Sequence, residues 1–246
     1  MAATLRIAMW CVPRTVSTAL MRSFANRDDC TCVDEPLYAH YLAHTGRRHP
    51  LQDEVLAAQH SDWRQVVDEV LLGPCATPVH FAKHMCHHMA GVDPGFAAQC
   101  LNAFLIRDPH EMLASFVNDL DTIEFADTGY GQQAELYRRM RADSDRAPVV
   151  IDSKDLLQDP EGMLRAFCGH AGIDFQPAML SWEAGRHPSF GVWAPHWYRN
   201  VERSTGFAPW RPKSAPFPEV MRPHLERALP LFEELHAQRL QPSAAG

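Results

Sequence analysis

The chain has no apolar run approaching the ~20 residues that cross a bilayer. It also lacks a basic stretch followed by an apolar core and a cleavage site near its first residue, so a soluble, cytoplasmic protein without membrane contact is expected. Cysteine is sparse, at seven residues, an odd number without repeated paired spacing, which points to reduced thiols rather than a disulfide framework. Basic residues are outnumbered, 23 Lys and Arg against 30 Asp and Glu, for a formal net charge of −7. Broad nucleic-acid binding is therefore not expected, and any anionic ligand must be held by a few placed arginines. No loop ends in Gly-Lys-Ser/Thr and no acidic strand end is suited to magnesium, which argues against an ATP-dependent kinase. Internal repeats and low-complexity stretches are absent as well.

What is there is a core. With 246 residues and 46% hydrophobic composition the chain can bury one full domain, expected to span 1–246. Short β-like runs at Leu5–Trp10, Thr31–Asp34, Val79–His84, Ala103–Ile106 and Pro148–Asp152 alternate with helical segments. The clearer helices are Ser17–Asn26, Trp63–Leu72, Pro109–Leu120, Gln132–Arg141, Pro160–Ala171 and Pro218–Leu240. Such alternation predicts an α/β fold, a central parallel sheet of about five strands flanked by helices. Ligands in these sheets sit beyond the strand carboxyl ends, where Arg14, Glu35, His84, Arg107 and Asp152 all fall. The segment 188–216, rich in proline, tryptophan and charge, reads as a lid or functional loop.

The most informative stretch is Leu5–Leu20, where an apolar run breaks at Pro13, passes through Arg14-Thr15-Val16-Ser17-Thr18 and becomes helical. Backbone N–H groups at a helix N-terminus lack intrahelical acceptors, so an anion there meets them together with Arg14, Thr15, Ser17 and Thr18. A second cluster, Arg107-Asp108-Pro109 with Ser115 on the following helix, brings a guanidinium fork and a hydroxyl to a neighbouring strand end. Two such sites suggest a nucleotide phosphorylated at two separate places.

These residues resemble a known family, the sulfotransferases that use 3′-phosphoadenosine 5′-phosphosulfate. Pro13-Arg14-Thr15-Val16-Ser17-Thr18 is similar to the family's loop for the 5′-phosphosulfate, and Arg107-Asp108-Pro109 with Ser115-Phe116 to its 3′-phosphate site. Val150–Leu156, Asp159-Pro160 and Gly172-Ile173 resemble the family's later strand, turn and helix. Ser204-Thr205-Gly206-Phe207, with Arg199 and Arg203, sits where the family carries a mobile basic loop over the nucleotide. The resemblance implies a P-loop NTPase-like single domain that moves a sulfuryl group to a small hydroxyl or amine acceptor without metal. The alternatives are a P-loop phosphotransferase acting on a small molecule, or an inactive nucleotide-binding module. Val16 replaces the usual loop glycine, and its backbone is expected to avoid positive φ.

The resemblance also implies roles. Arg14 would stabilise the leaving phosphate, and Lys83 would assist at the transferring group. The base that takes the acceptor proton would be His84, in Lys83-His84-Met85, or Glu35, in Asp34-Glu35-Pro36. His84 with Cys86, His87 and His88 lacks the separated pairs of a structural zinc site, so no metal is expected. The acceptor pocket is expected from loops and variable helices at Leu37–Gly46, Asp119–Gly131 and Pro188–Pro209. Which aromatic stacks on the base, Trp193, Trp197 or Tyr198, stays open, as does the oligomeric state.

Overall fold

The computed structural model describes residues 4–117, 122–144, 146–212 and 216–242. Positions 118–120 of the helix expected after Pro109, part of the expected loop 119–131, and 213–215 of the segment 188–216 lie outside the described residues. In chain order the elements are β1 (Leu5–Cys11), α1 (Ser17–Phe24), β2 (Cys30–Asp34), α2 (Tyr38–Thr45), α3 (Gln52–Ala58) and α4 (Trp63–Gln65). They continue with β3 (Val79–Met85), β4 (Leu101–Ile106), α5 (Pro109–Phe116), α6 (Tyr130–Asp143), β5 (Val149–Asp152), α7 (Ser153–Gln158) and α8 (Pro160–Ala171). The short α9 (Ala194–Trp197) and α10 (Arg199–Glu202) precede the long α11 (Arg222–His236).

All five strands are parallel, in the order β2-β3-β1-β4-β5. Because side chains alternate across a strand, each one feeds two cores. Ile7, Met9, Cys11, Phe81, Leu105 and Ile151 pack with Leu20, Met21 and Phe24 of α1 and Phe167 of α8 on one face. Ala8, Trp10, Ala82, Phe104 and Val150 pack with α5, α6 and α11 on the other, through Met112, Leu113, Tyr137 and Phe232. Each fully buried large side chain contributes about 1.5–3 kcal/mol of transfer free energy, so the two-sided burial of β1 and β4 fixes their register.

The helix after β1 thus covers one face and the helix after β4 the other. Their divergence opens a crevice at the carboxyl ends of the two strands, as such topologies do. Local chemistry sharpens the helix starts: Asp108 caps α5 by accepting from the His110 and Glu111 amides, and Asp159 caps α8 by accepting from Gly162. Pro109 and Pro160 fill the first turns, where a missing N–H costs nothing.

Differences from the sequence reading have physical causes. Leu37–Gly46, expected among the loops and variable helices of the acceptor pocket, is helical over Tyr38–Thr45, with Gly46 at φ 68° closing it in the left-handed conformation. After Gln65 the helix expected over Trp63–Leu72 widens into a π-helical turn at Val66–Leu71. The last long helix starts at Arg222 rather than Pro218, following a short 3-10 turn at Glu219–Met221.

Candidate active site

Between the carboxyl ends of β1, β3 and β4 lies a cavity of about 320 Å³. One wall is the loop Pro13–Thr18. Arg14 and Val16 both have left-handed backbone, at φ 61° and 56°. For the β-branched Val16 this is a genuine outlier, and it reverses the expectation that valine would keep the loop out of positive φ. The fold holds the strain in place, at on the order of 1–3 kcal/mol per such residue. Thr15 Oγ1 donates to the Val12 carbonyl at 2.8 Å, and the Ser153 hydroxyl lies 3.0 Å from the Thr15 carbonyl. The start of α1 has no side-chain cap, so its first amides are presented to the cavity without an intrahelical acceptor.

The second cluster meets the first. Arg107 Nη1 donates to the Arg14 carbonyl at 2.5 Å, and Arg14 Nε donates to Ser115 Oγ at 3.1 Å. Arg107 also pairs with Glu111 at 3.1 Å, which fixes its fork. Arg14, Arg107 and Ser115 all line the same cavity.

The floor is a buried polar quartet. Lys83, 1% exposed, lies 2.8 Å from Asp34 Oδ1 and 2.8 Å from Glu35 Oε1. It also donates toward Thr18 Oγ1 at 3.3 Å and to the Tyr198 phenol at 2.5 Å. The Tyr198 oxygen accepts from Trp193 Nε1 at 2.9 Å, and its single proton is within reach of Asp34 Oδ1 at 3.0 Å and Glu35 Oε1 at 3.1 Å. Opposed charges at this distance in a dry interior hold one another, and removing one partner strands the others. Burial pushes the Glu35 carboxyl up, Lys83 opposes this, and Asp34 adds to it. The carboxylate pair keeps Lys83 a cation despite its burial. Glu35 is itself strained, at φ 40°. Its N–H is tied to the Lys83 carbonyl at 2.9 Å and its carbonyl accepts from Gln59 Nε2 at 3.1 Å, so the backbone cannot relax.

His84, the other candidate base, is elsewhere. Neighbours along a strand point to opposite faces, so placing Lys83 in the cavity sends His84 into the far core. There it stacks on Trp10 with centroids 4.3 Å apart, is 1% exposed, and neither ring nitrogen has a hydrogen-bond partner. Burial drives its pKa down from 6.5 to about 3. The residue that follows Lys83 on the cavity side is Met85.

Another wall comes from α2, the coil after it and the turn after β3: Tyr38 and Tyr41, His49, and His87 and His88. Trp197, Tyr198, Asn200 and Val201 close the top. Sequence reasoning missed Tyr198 as a partner of Lys83 and missed the two histidines. The one available signal was the compact run Cys86-His87-His88 directly after a strand end.

Arg199, Arg203, Ser204, Thr205 and Gly206 do not reach the cavity. Arg199 donates to the Pro195 carbonyl, Ser204 bonds Trp182 Nε1 and the Val201 carbonyl, and Gly206 bridges to Ser181. Arg203 and Thr205 are exposed. Of the tryptophans, Trp193 belongs to the core, while Trp210 lies under Lys154 and donates to Glu111 at 3.1 Å. Among the described residues no helix is long and apolar enough to cross a membrane, and no cluster of three His, Cys, Asp or Glu is suited to a metal ion.

A parallel five-stranded sheet with helices on both faces and its ligand cavity at the carboxyl ends of the central strands defines the class, a single-sheet α/β domain. Within it the chain belongs to the sulfotransferase-domain family, whose model matches residues 5–239. Two curated proteins of Arabidopsis thaliana, branched-chain-amino-acid aminotransferase-like proteins 2 and 1, are 36% identical over 239 residues and 38% identical over 234 residues. Those matches take in 97% and 94% of this chain but 42% and 41% of the relatives, so the chain spans less than half of their length. In fold it is similar to a sulfotransferase domain of the Synechococcus PCC 7002 olefin synthase, at 15% identity, TM-score 0.54, covering 92% of this chain and 96% of that one. It is also similar to a sulfotransferase from Alicyclobacillus acidocaldarius, at 10% identity, TM-score 0.55 and 96% of each chain.

Proposed function

We propose that this domain transfers a sulfuryl group from 3′-phosphoadenosine 5′-phosphosulfate to a hydroxyl or amine of a small-molecule acceptor. The observation that carries this reading is the convergence of Arg14 and Arg107, from loops after two separate strands, on one cavity whose opposite side holds Glu35 and Lys83. A bisphosphorylated nucleotide needs two anion sites a few ångströms apart and an ionisable group on the far side of the transferring centre.

The donor brings a sulfuryl group already joined to a phosphate leaving group, so the protein's tasks are to bind, orient and move one proton. The first amides of α1, with Ser17 and Thr18, would hold the 5′-phosphate, and the αL backbone at Arg14 and Val16 turns the loop into a concave cradle. Arg14 would neutralise the charge left on that phosphate. Arg107 and Ser115 would grip the 3′-phosphate, the guanidinium fork taking two oxygens and the hydroxyl a third.

Glu35 is the proton acceptor in this reading. A base must be ionised to act, and its effectiveness rises as its pKa approaches the working pH, which burial and Asp34 favour here. Turnover therefore falls on acidification at a pH above the ordinary carboxylate range. Lys83 keeps Glu35 from becoming permanently protonated, and with Tyr198 it holds Oε1.

Isothermal titration with 3′-phosphoadenosine 5′-phosphate tests the reading, with one binding site expected. Absence of heat from folded protein at high concentration would overturn it, and turnover that required ATP and magnesium would favour a phosphotransferase instead.

A further inference from the structure

The Arg107 fork is set by a chain of contacts that leads out of the cavity. A guanidinium has five N–H groups, and three are committed here: the Nε hydrogen and one on Nη2 to Glu111 Oε2, at 3.3 and 3.1 Å, and one on Nη1 to the Arg14 carbonyl. Among the described residues nothing takes the other two, one on each terminal nitrogen, and such a pair suits two phosphate oxygens. Glu111 thus decides which edge of the fork is offered. Its other oxygen, Oε1, accepts from Trp210 Nε1 at 3.1 Å, and neither Glu111 nor Trp210 lines the cavity.

Resting on the sulfotransfer reading above, we propose that Trp210 is a positioning residue for the nucleotide's 3′-phosphate, acting through Glu111 on Arg107 without touching the nucleotide. Glu111 is a rival of the phosphate as well as a support for the arginine. A carboxylate beside the fork competes for the same N–H groups and repels a second anion. By holding Oε1, the indole N–H keeps Oε2 on the Nε edge and leaves the terminal pair open. The indole is itself held: Pro209 and Pro212 fix φ on either side of it, and the Lys154 ammonium lies 4.6 Å from its ring centroid. Lys154 is tied to the end of β5, its amide donating to Asp152 Oδ1 at 2.6 Å. Further along the chain, Phe217 packs on His110 of α5 with centroids 4.6 Å apart. Residues at the ends of β1, β4 and β5 are thereby joined around one guanidinium.

The consequence is selectivity rather than general affinity. Only a nucleotide with a 3′-phosphate uses the terminal pair of Arg107, because the 5′-phosphate is assigned to the first amides of α1. Loss of the indole N–H frees Glu111 to turn onto that pair, which weakens the bisphosphate and spares a monophosphate. A tryptophan that only held its own segment in place would affect both alike. In turnover the effect falls on capture of the donor: the 3′-phosphate contact is the same before the reaction and at its transition state, so KM rises and kcat stays.

Trp210→Phe keeps an aromatic ring under Lys154 and deletes the N–H donor. In isothermal titration the variant is expected to bind 3′-phosphoadenosine 5′-phosphate about fivefold more weakly, the effect of one hydrogen bond, and adenosine 5′-monophosphate within about twofold of the parent. Unchanged binding of the monophosphate doubles as the control for folding. Release of radiolabelled sulfate from 3′-phosphoadenosine 5′-phosphosulfate, with no acceptor but water, gives the second readout. There the water oxygen bonds to sulfur, one of its protons goes to Glu35, and the bond from sulfur to the 5′-phosphate oxygen breaks with its electron pair on the phosphate. KM for the donor should rise by the same factor with kcat nearly unchanged. In a Glu111→Ala background, Trp210→Phe should cost nothing further, since the relay is already cut. Equal weakening of both nucleotides, no weakening of the bisphosphate, a fall in kcat at unchanged KM, or the full loss in the Glu111→Ala background overturns the relay while leaving the donor reading intact. A wild-type chain that does not bind the bisphosphate removes that reading and the relay with it.

Discussion

Replacing His84 with leucine separates two accounts of this residue in a single experiment. Its ring is buried among Trp10, Phe96 and the far core, with both nitrogens unpartnered and a pKa lowered from 6.5 to about 3. A histidine depressed in the folded state contributes no penalty above the unfolded pKa and destabilises as pH falls below it, because only the unfolded chain takes up the proton. Near pH 5.5 that uptake destabilises the fold by about 1.4 kcal/mol, and near pH 7.5 by about 0.1 kcal/mol. The figure at pH 5.5 does not depend on the exact folded value, since about 3 is far below it. Leucine removes the uptake entirely. At neutral pH the substitution deletes two unsatisfied nitrogens, worth about 1–3 kcal/mol, and loses a ring stack worth about 0.5–1.5 kcal/mol, so the variant should be at least as stable as the parent. Urea unfolding at the two pH values should then show the variant's advantage growing by about 1.4 kcal/mol on acidification, or about 0.5 M in midpoint for an m-value near 3 kcal/mol/M. Sulfate release should be unchanged. An advantage independent of pH would mean that His84 reaches water or a counter-charge. A fall in turnover of about a hundredfold or more would mean that it is the base after all.

Lys83→Met leaves Asp34 and Glu35 without their cation and should cost about 3–5 kcal/mol. Glu35 already has a raised pKa, and a raised carboxyl loses stability as pH increases through its folded value, so the deficit should be larger at pH 8 than at pH 5. A deficit equal at both would show that the three charges are not coupled. Val16→Gly removes a half-buried side chain yet relieves the left-handed valine, and the two terms should offset to within about 1 kcal/mol in chemical denaturation. A loss above about 2 kcal/mol would mean that the loop is not strained. Arg107→Ala should weaken 3′-phosphoadenosine 5′-phosphate by about ten- to a hundredfold in calorimetry and leave adenosine 5′-monophosphate nearly unaffected. Equal weakening of both would assign Arg107 to the wrong phosphate.

The strands were legible because each is short, apolar and bounded by a turn signal, and all five appear within two residues of their expected ends. The Pro13–Thr18 loop and the Arg107–Ser115 pair were legible because strand-to-helix junctions carry their chemistry within a few consecutive residues. Other features needed three dimensions. Tyr198 is 115 residues from Lys83, and no local pattern announces that a phenol will sit between its ammonium and two carboxylates. His84 was misplaced because it directly follows Lys83: adjacent residues of a strand face opposite ways, so an ammonium in the cavity puts the imidazole in the far core. Val16 shows a local rule overridden, since β-branching disfavours the left-handed region but the junction of β1 and α1 demands it. Helix α2 could be read only as one of the loops or variable helices of the pocket, because Tyr38-Ala39-His40-Tyr41-Leu42 is apolar and aromatic without a side-chain cap.

Tyr198 also decides how the top of the cavity can behave. The stretch that carries it is fastened to the strand ends by a phenol wedged among an ammonium and two carboxylates, and by the Gly191 amide bonded to Asp34 Oδ2. Swinging that stretch outward would break several short contacts, but it would also wet three ionic groups that hydrate strongly. The cost of such a movement is therefore set by the balance between lost contacts and regained hydration of the same charges.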